Sequence, residues 1–204
     1  MLQVFIAHPV PRLGKDDTLL LTRRDYESLV PRCQQIERRV FPKSEAMDIA
    51  KELRKPNQFL FVVLDLDTSL GAPNQADMQL VSYGILAIGK IDGIARISKV
   101  CTDPSCRGRG AGELVVNGML KALGAGTKIQ LVNTVSASYS HIRVISQAGI
   151  SNIQLHVDKQ RADATRLYTR CGFSAKAEIA DYYSAGRDAL LMAAPITSTV
   201  ENFT

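Results

Sequence analysis

Ile97-Ser98-Lys99-Val100-Cys101-Thr102-Asp103-Pro104-Ser105-Cys106-Arg107-Gly108-Arg109-Gly110-Ala111-Gly112 is the stretch on which the fold turns. A strand-like run breaks into a turn rich in glycine and arginine, and an amphipathic helical pattern follows. Glycines let the backbone bend tightly and approach a ligand closely. A helix start aims unpaired N–H groups and the positive end of its dipole at whatever lies before it. Together these features make a binding site for a phosphate or pyrophosphate; the plainer reading is a glycine-rich surface turn. The spacing Arg-x-x-Gly-x-Gly has neither the Gly-Lys-Ser/Thr of a P-loop nor the glycine spacing of a dinucleotide fold.

The chain has 204 residues, enough for one domain with a real core. No stretch of about twenty apolar residues could cross a membrane, and the start lacks the charged-then-apolar order of a signal peptide. Met1–Ala7 is apolar but too short to anchor anything, so 1–17 is read as an N-terminal extension and 197–204 as a C-terminal tail. Cys33, Cys101, Cys106 and Cys171 form no C-x-x-C pair and have no histidine at zinc spacing, so neither a metal nor a disulfide framework is expected. They read as reduced thiols of a cytoplasmic, or else nuclear, protein. A formal charge of +5 suits a polyanionic cofactor. No RNA-stacking motif or long basic tract points to direct nucleic-acid binding.

The periodicities alternate. Thr18–Arg23 reads as a short strand. Asp25–Val40 carries Leu29, Cys33, Ile36 and Val40 at helical spacing, with Pro31 either kinking the helix or opening its main body. A second helix is predicted over Ser44–Arg54 with Ser44 as its N-cap. Gln58–Asp65 is an almost wholly apolar strand. Thr68–Asp77 is a loop, and Met78–Gly89 and Ile91–Thr102 form a hairpin through Lys90–Gly93. Helix 111–123 should turn Leu114, Val115, Met119 and Leu123 to the core. Asn152–Val157 is a strand, Ala162–Arg170 a helix, and Phe173–Ala180 and Arg187–Ala193 the last strands. This order predicts an α/β domain over 18–196, with a mixed central sheet and helices on both faces. Between Leu123 and Asn152, segment 124–149 has weak periodicity and reads as an insertion, either a functional lid or a stretch not native to the fold.

A second stretch runs from Leu155-His156-Val157-Asp158 through Arg161-Ala162-Asp163-Ala164-Thr165-Arg166-Leu167-Tyr168 to Gly172-Phe173. With the Arg107–Gly112 loop, it resembles the paired motifs of the Gcn5-related N-acetyltransferase (GNAT) superfamily, whose first loop holds the pyrophosphate of acetyl-coenzyme A. The resemblance covers roughly Thr18 to Met192. It implies acetyl-CoA as cosubstrate, with no metal, held by Val100, Thr102, Arg107, Gly108, Arg109, Gly110, Ala111, Gly112 and Arg161. Within the superfamily, three matches resemble N-terminal α-amine acetyltransferases. These are Phe41-Pro42 after the first helix, Leu155-His156-Val157, and Tyr182-Tyr183 before Gly186-Arg187. Each has a plainer reading: a helix end, a packed strand histidine, and ordinary hairpin aromatics. Three departures stand against them. Arg161 replaces the motif Asn, Arg96 occupies a position where one subgroup has a second catalytic tyrosine, and Lys43 stands where another has a glutamate, with Glu45 nearby.

The resemblance implies direct attack of an amine on the thioester. A free α-amine, with a pKa near 8 against about 10.4 for lysine, is the easier one to deprotonate. His156 is then the general base and Tyr168 the general acid. Backbone N–H groups near Val100–Thr102 would polarise the thioester carbonyl. Phe41, Pro42, Tyr182 and Tyr183 would wall a slot for the acceptor, a protein or peptide N-terminus, and an auxiliary ribosome-associated subunit is compatible with this role. Two rivals remain: the same chemistry on a small amine or lysine side chain, and a weakly catalytic acyl-CoA-binding scaffold.

Overall fold

Gln58–Leu66 (β2) and Met78–Ile88 (β3) are apolar on both faces, and strands of that kind require cover from both sides. The computed structural model describes residues 2–7, 23–55, 57–66, 78–89, 93–124, 131–132, 142–143 and 150–196. The other strands are β1 (Leu2–Ala7), β4 (Ile94–Thr102), β5 (Leu131–Val132), β6 (Ile142–Arg143), β7 (Asn152–Asp158), β8 (Ser174–Ser184) and β9 (Arg187–Pro195). Seven of them form one mixed sheet in the order β1-β2-β3-β4-β7-β9-β8, while β5 and β6 pair with each other. Only the β4–β7 pairing of the large sheet is parallel.

Helices α1 (Arg23–Val40) and α2 (Ile49–Leu53) cover one face, packing Leu29, Cys33, Ile36 and Ile49 onto Leu60, Val62, Tyr83 and Ile85. Helices α3 (Ala111–Gly124) and α4 (Ala162–Arg170) cover the other, with Val115, Met119 and Tyr168 against Phe61, Leu86, Ile153 and Leu155. The mixed sheet with helices on both faces is the architecture expected from the sequence.

Several local expectations are corrected. Leu2–Ala7, assigned above to an extension, pairs antiparallel with β2 as the edge strand. Of Thr18–Arg23, residues 18–22 lie outside the described residues and Arg23 already begins α1. Pro31 sits inside α1, which runs on through it. The second helix starts at Ile49 rather than Ser44: Asp48 caps it by accepting the Lys51 N–H, and 43–45 form a turn instead. Leu114 is 36% exposed, because α3 turns Val115, Val116 and Met119 inward. β8 extends to Ser184. The predicted loop Thr68–Asp77 and the tip of the β3–β4 connection lie outside the described residues.

One buried charge locks the α1 face. Glu37 is 0% exposed in the middle of the apolar stripe of α1. Its Oε1 accepts the Met47 N–H at 2.8 Å and lies 3.0 Å from Lys99 Nζ, and its Oε2 accepts the Tyr83 hydroxyl. Burial, followed by nearby Cys101 and Glu37, pushes the Tyr83 pKa far up, so Tyr83 stays a donor. Removing one partner of such a pair leaves the other charge buried and uncompensated. Glu37→Ala should therefore lower the unfolding free energy by about 3–5 kcal/mol in urea titration, and Glu37→Gln, which keeps an acceptor, should lower it less. An alanine variant within about 1 kcal/mol of the parent would show that the network is not a stability determinant.

Candidate active site

β4 and β7 run side by side for only three residue pairs, Ile94–Asn152, Ala95–Ile153 and Arg96–Gln154. Beyond them β4 continues with β3 alone and β7 with β9 alone. The cause is visible in the β3–β4 register, which slips between Ile85–Lys99 and Leu86–Ile97 and leaves Ser98 as the extra residue of a bulge. A bulge bends its strand and increases the local twist. The two strands therefore part, and Val100 and Thr102 come to lie on the segment of β4 that has left β7.

The end of this segment is preformed. The Asp103 carboxylate accepts both the Ser105 N–H and hydroxyl, capping the single turn Pro104–Cys106, and also takes Arg39 at 2.9 Å. The Ser105 hydrogen bonds, aided by Arg39 and Arg107 against a burial cost, hold the Asp103 pKa below the usual carboxylate range. Gly108 and Gly110 both adopt positive φ (76° and 78°), a conformation that disfavours side chains. The Gly110 carbonyl accepts the Leu114 N–H, so α3 starts at Ala111 and its first amides point out of the turn. Gly112 allows close packing, since a Cβ there would come within 3.2 Å of Leu167 and 3.3 Å of Thr102 Oγ1. This cradle of free amides and a helix dipole fits a pyrophosphate. Arg107 is exposed, while Arg109 is paired with Asp65 at the end of β2.

Arg161 is engaged by Glu45 and Phe41. It stands at the N-cap of α4 without a side-chain cap bond, its guanidinium 2.9 Å from Glu45 and 4.6 Å from the centroid of the Phe41 ring. Lys99 lies 3.7 Å from the same centroid. Phe41 thus carries two cations, and Pro42 is exposed beside it.

Tyr168 packs edge-on to Phe173 within the α3–α4 core. Burial, then the neighbouring Tyr183 and Cys171, push its pKa well up, so its hydroxyl keeps its proton. His156 projects from the opposite face of β7 to Leu155 and Val157. Its ring stacks on Tyr182 with centroids 4.7 Å apart. Burial, and secondarily the charge of Arg96, lower its pKa, which favours the neutral imidazole. Tyr183 links the two: its hydroxyl donates to the His156 carbonyl at 3.2 Å, and its ring is edge-on to Tyr182.

Residues the sequence reading left without a role close the site. Arg187, at the start of β9, donates to Asp158 through Nε at 3.2 Å and through Nη2, and through Nη1 to Glu45. The Arg187 hydrogen bond, with Arg161 helping, lowers the Glu45 pKa despite partial burial. Glu45 thereby ties the 41–45 turn to both α4 and the β8–β9 hairpin. The single available signal was the position of Glu45 near Phe41-Pro42. All four cysteines are buried and free; burial pushes the Cys101 and Cys171 thiols up to about 12, which disqualifies them as neutral-pH nucleophiles. No cluster suited to a metal ion occurs among the described residues.

No protein-family model and no curated protein sequence matches the chain. Solved structures do. The chain is similar to the ribosomal-protein-S18-alanine N-acetyltransferase from Escherichia coli at 17% identity and TM-score 0.58, covering 100% of this chain and 99% of that one. It resembles Arabidopsis thaliana NAA60, solved with a bisubstrate analogue, at 16% identity and TM-score 0.62, over 98% and 100% of the two chains. A spermidine N-acetyltransferase chimera from Vibrio cholerae and hSSAT aligns at 14% identity and TM-score 0.59 over 95% of each chain. These likenesses establish the fold, and the acceptors they name range from a protein alanine to a polyamine.

The environment of His156 can be read directly. An NMR titration of its imidazole should give a midpoint below the ordinary value of about 6.5, and Arg96→Met should raise that midpoint by removing the secondary cause. A midpoint at or above the ordinary value would remove the basis for a neutral base here.

Proposed function

We propose that this chain, whose fold is that of the Gcn5-related N-acetyltransferases, transfers the acetyl group of acetyl-CoA to the α-amine of a protein or peptide N-terminus. The observation that carries the reading is the parting of β4 from β7 beyond Arg96. A cleft opened there would have the Gly108–Gly112 turn on one side and Phe41, Tyr182 and Tyr183 on the other. The first amides of α3 and the Gly108–Gly112 turn would hold the pyrophosphate, and the freed backbone of β4 near Val100 and Thr102 would pair with the amide-rich arm.

In this scheme the acceptor amine, made neutral by loss of a proton to His156 directly or through water, attacks the thioester carbonyl carbon. A C–N bond forms, the C–S bond breaks, and the leaving sulfur takes the Tyr168 proton. The nitrogen, cationic after addition, gives up its second proton through water to restore Tyr168, and His156 returns its proton to solvent. The raised Tyr168 pKa keeps its hydroxyl protonated and the lowered His156 pKa favours the neutral imidazole, so each group holds the form its step requires. No covalent enzyme intermediate is required, in keeping with the inert thiols. The α-amine is favoured over lysine on two grounds. It loses its proton more readily, and a slot between Phe41-Pro42 and Tyr182-Tyr183 admits a chain end more easily than a side chain flanked by backbone on both sides.

Gly110→Glu, which puts a side chain and a negative charge at a positive-φ position of the cradle, should weaken coenzyme A binding severely in calorimetry while the thermal transition persists. Unchanged affinity in the folded variant would remove the turn from the cofactor site.

His156→Ala and Tyr168→Phe should each lower kcat about a hundredfold, the scale of general acid–base catalysis, with little change in coenzyme A affinity. Assays should compare a free-N-terminal peptide, the same peptide blocked and bearing an internal lysine, and spermidine. Preferential turnover of the first supports the reading. Equal turnover of the blocked lysine peptide, or activity confined to spermidine, would overturn the N-terminal acceptor and leave the fold assignment standing.

A further inference from the structure

Charge pairing on the acceptor side restricts what a second charged group on the acceptor can meet. Glu45, in the turn after α1, and Asp158, at the end of β7, are each already held by a cation: Glu45 by Arg161 and Arg187, Asp158 by Arg187. An acceptor carrying a further ammonium beside its reacting amine would have to displace one of these internal partners. An acceptor carrying an anion would not.

A groove of about 760 Å³ continues outward from Phe41 between α1 and the 43–50 segment. Val30, Pro31 and Met47 give it an apolar lining, and Arg38 and Lys43 stand along it as exposed cations. Neither cation makes an ion pair among the described residues. Asp48, the carboxylate on the groove, is engaged in capping α2 through the Lys51 N–H. Phe41 belongs both to the acceptor wall and to the groove, so the two are continuous. From Phe41 back to Val30, α1 rises roughly 16 Å at 1.5 Å per residue, the reach of about five extended residues.

Resting on the N-terminal reading above, we infer that the acceptor is a chain end with acidic side chains just beyond its first residue, and that the Arg38–Lys43 groove receives them. Lys43 lies two residues from Phe41 and meets the nearest of these positions, while Arg38 lies one helical turn further along. The apolar lining takes the backbone and the aliphatic stems between them. The attraction is one of exposed charges, so it acts mainly on encounter and on KM, and salt screens it.

The test uses the whole protein, acetyl-CoA, and three free-N-terminal peptides with the same first residue. Their second to fourth positions are Asp, Ala or Lys, and spermidine serves as a fourth acceptor. The Asp peptide should have a kcat/KM about tenfold above the Lys peptide at low salt, as two exposed ion pairs can supply. The gap should reside in KM and shrink at high salt. In Arg38→Glu/Lys43→Glu the order should reverse while coenzyme A affinity is kept, and Lys43→Ala alone should narrow the gap. Equal use of the three peptides would overturn the acidic preference and leave the N-terminal reading intact. A preference that persists unchanged in the double variant would overturn the groove as its cause. Turnover of spermidine with none of any peptide would overturn both.

Discussion

A carboxylate with no access to water governs how the two halves of the site meet. Burying Glu37 without partners would cost several kcal/mol, so the fold is held to the one arrangement in which three donors converge on it. The donors come from β3, from β4 and from the segment before α2. α1 consequently cannot shift along the sheet, and the turn that follows it must bring Phe41 over Lys99. Lys99 is the neighbour of the bulged Ser98, so the interaction that seats α1 also sits at the point where β4 bends away from β7. The turn that carries Phe41 and the point where β4 leaves β7 are thus tied to the same buried charge.

A second set of charges works nearer the surface. Glu45, Arg161, Arg187 and Asp158 bridge the turn after α1 to α4 and to the β8–β9 hairpin. The hairpin needs that support, since Tyr182 and Tyr183 are 48% and 36% exposed and Asp181 lies at φ 54°. Asp181 and Asp188 side chains further bind backbone N–H groups within the same hairpin. Arg161 is explained by this setting: a planar cation can lie over Phe41 while holding a carboxylate, and an amide cannot do both.

The layered architecture and the glycine turn before α3 were legible because they rest on local signals. Helical spacing in α1 and α3, apolar runs in β2 and β3, and glycines at 108, 110 and 112 each report a short-range requirement. Leu2–Ala7 was misread because a short, mostly apolar run looks alike whether it dangles or pairs, and only β2 decides between the two. Ser44 lost to Asp48 as a cap because Glu37 and Gln34 bind the backbone of Met47 and Ile49 from another helix, fixing where α2 can begin. Ion pairs between residues 116 or 142 positions apart, such as Glu45 with Arg161 and Arg187, leave no trace in spacing.

The 124–149 stretch departs from the last residue of α3 and rejoins the sheet just before Asn152. α3 begins at the anion-binding turn and is 14 residues long, so its end lies about 20 Å from that turn. β7 likewise starts at the end paired with Ile94 and reaches Asp158 about 20 Å later. Both attachment points therefore stand at the pole of the domain remote from the Gly108–Gly112 turn. Loop closure grows more costly only slowly with length, so a longer or shorter connection here would strain neither attachment point. The junction between α3 and β7 is a place where the length of the chain can change while both ends stay seated in the sheet and its covering helix.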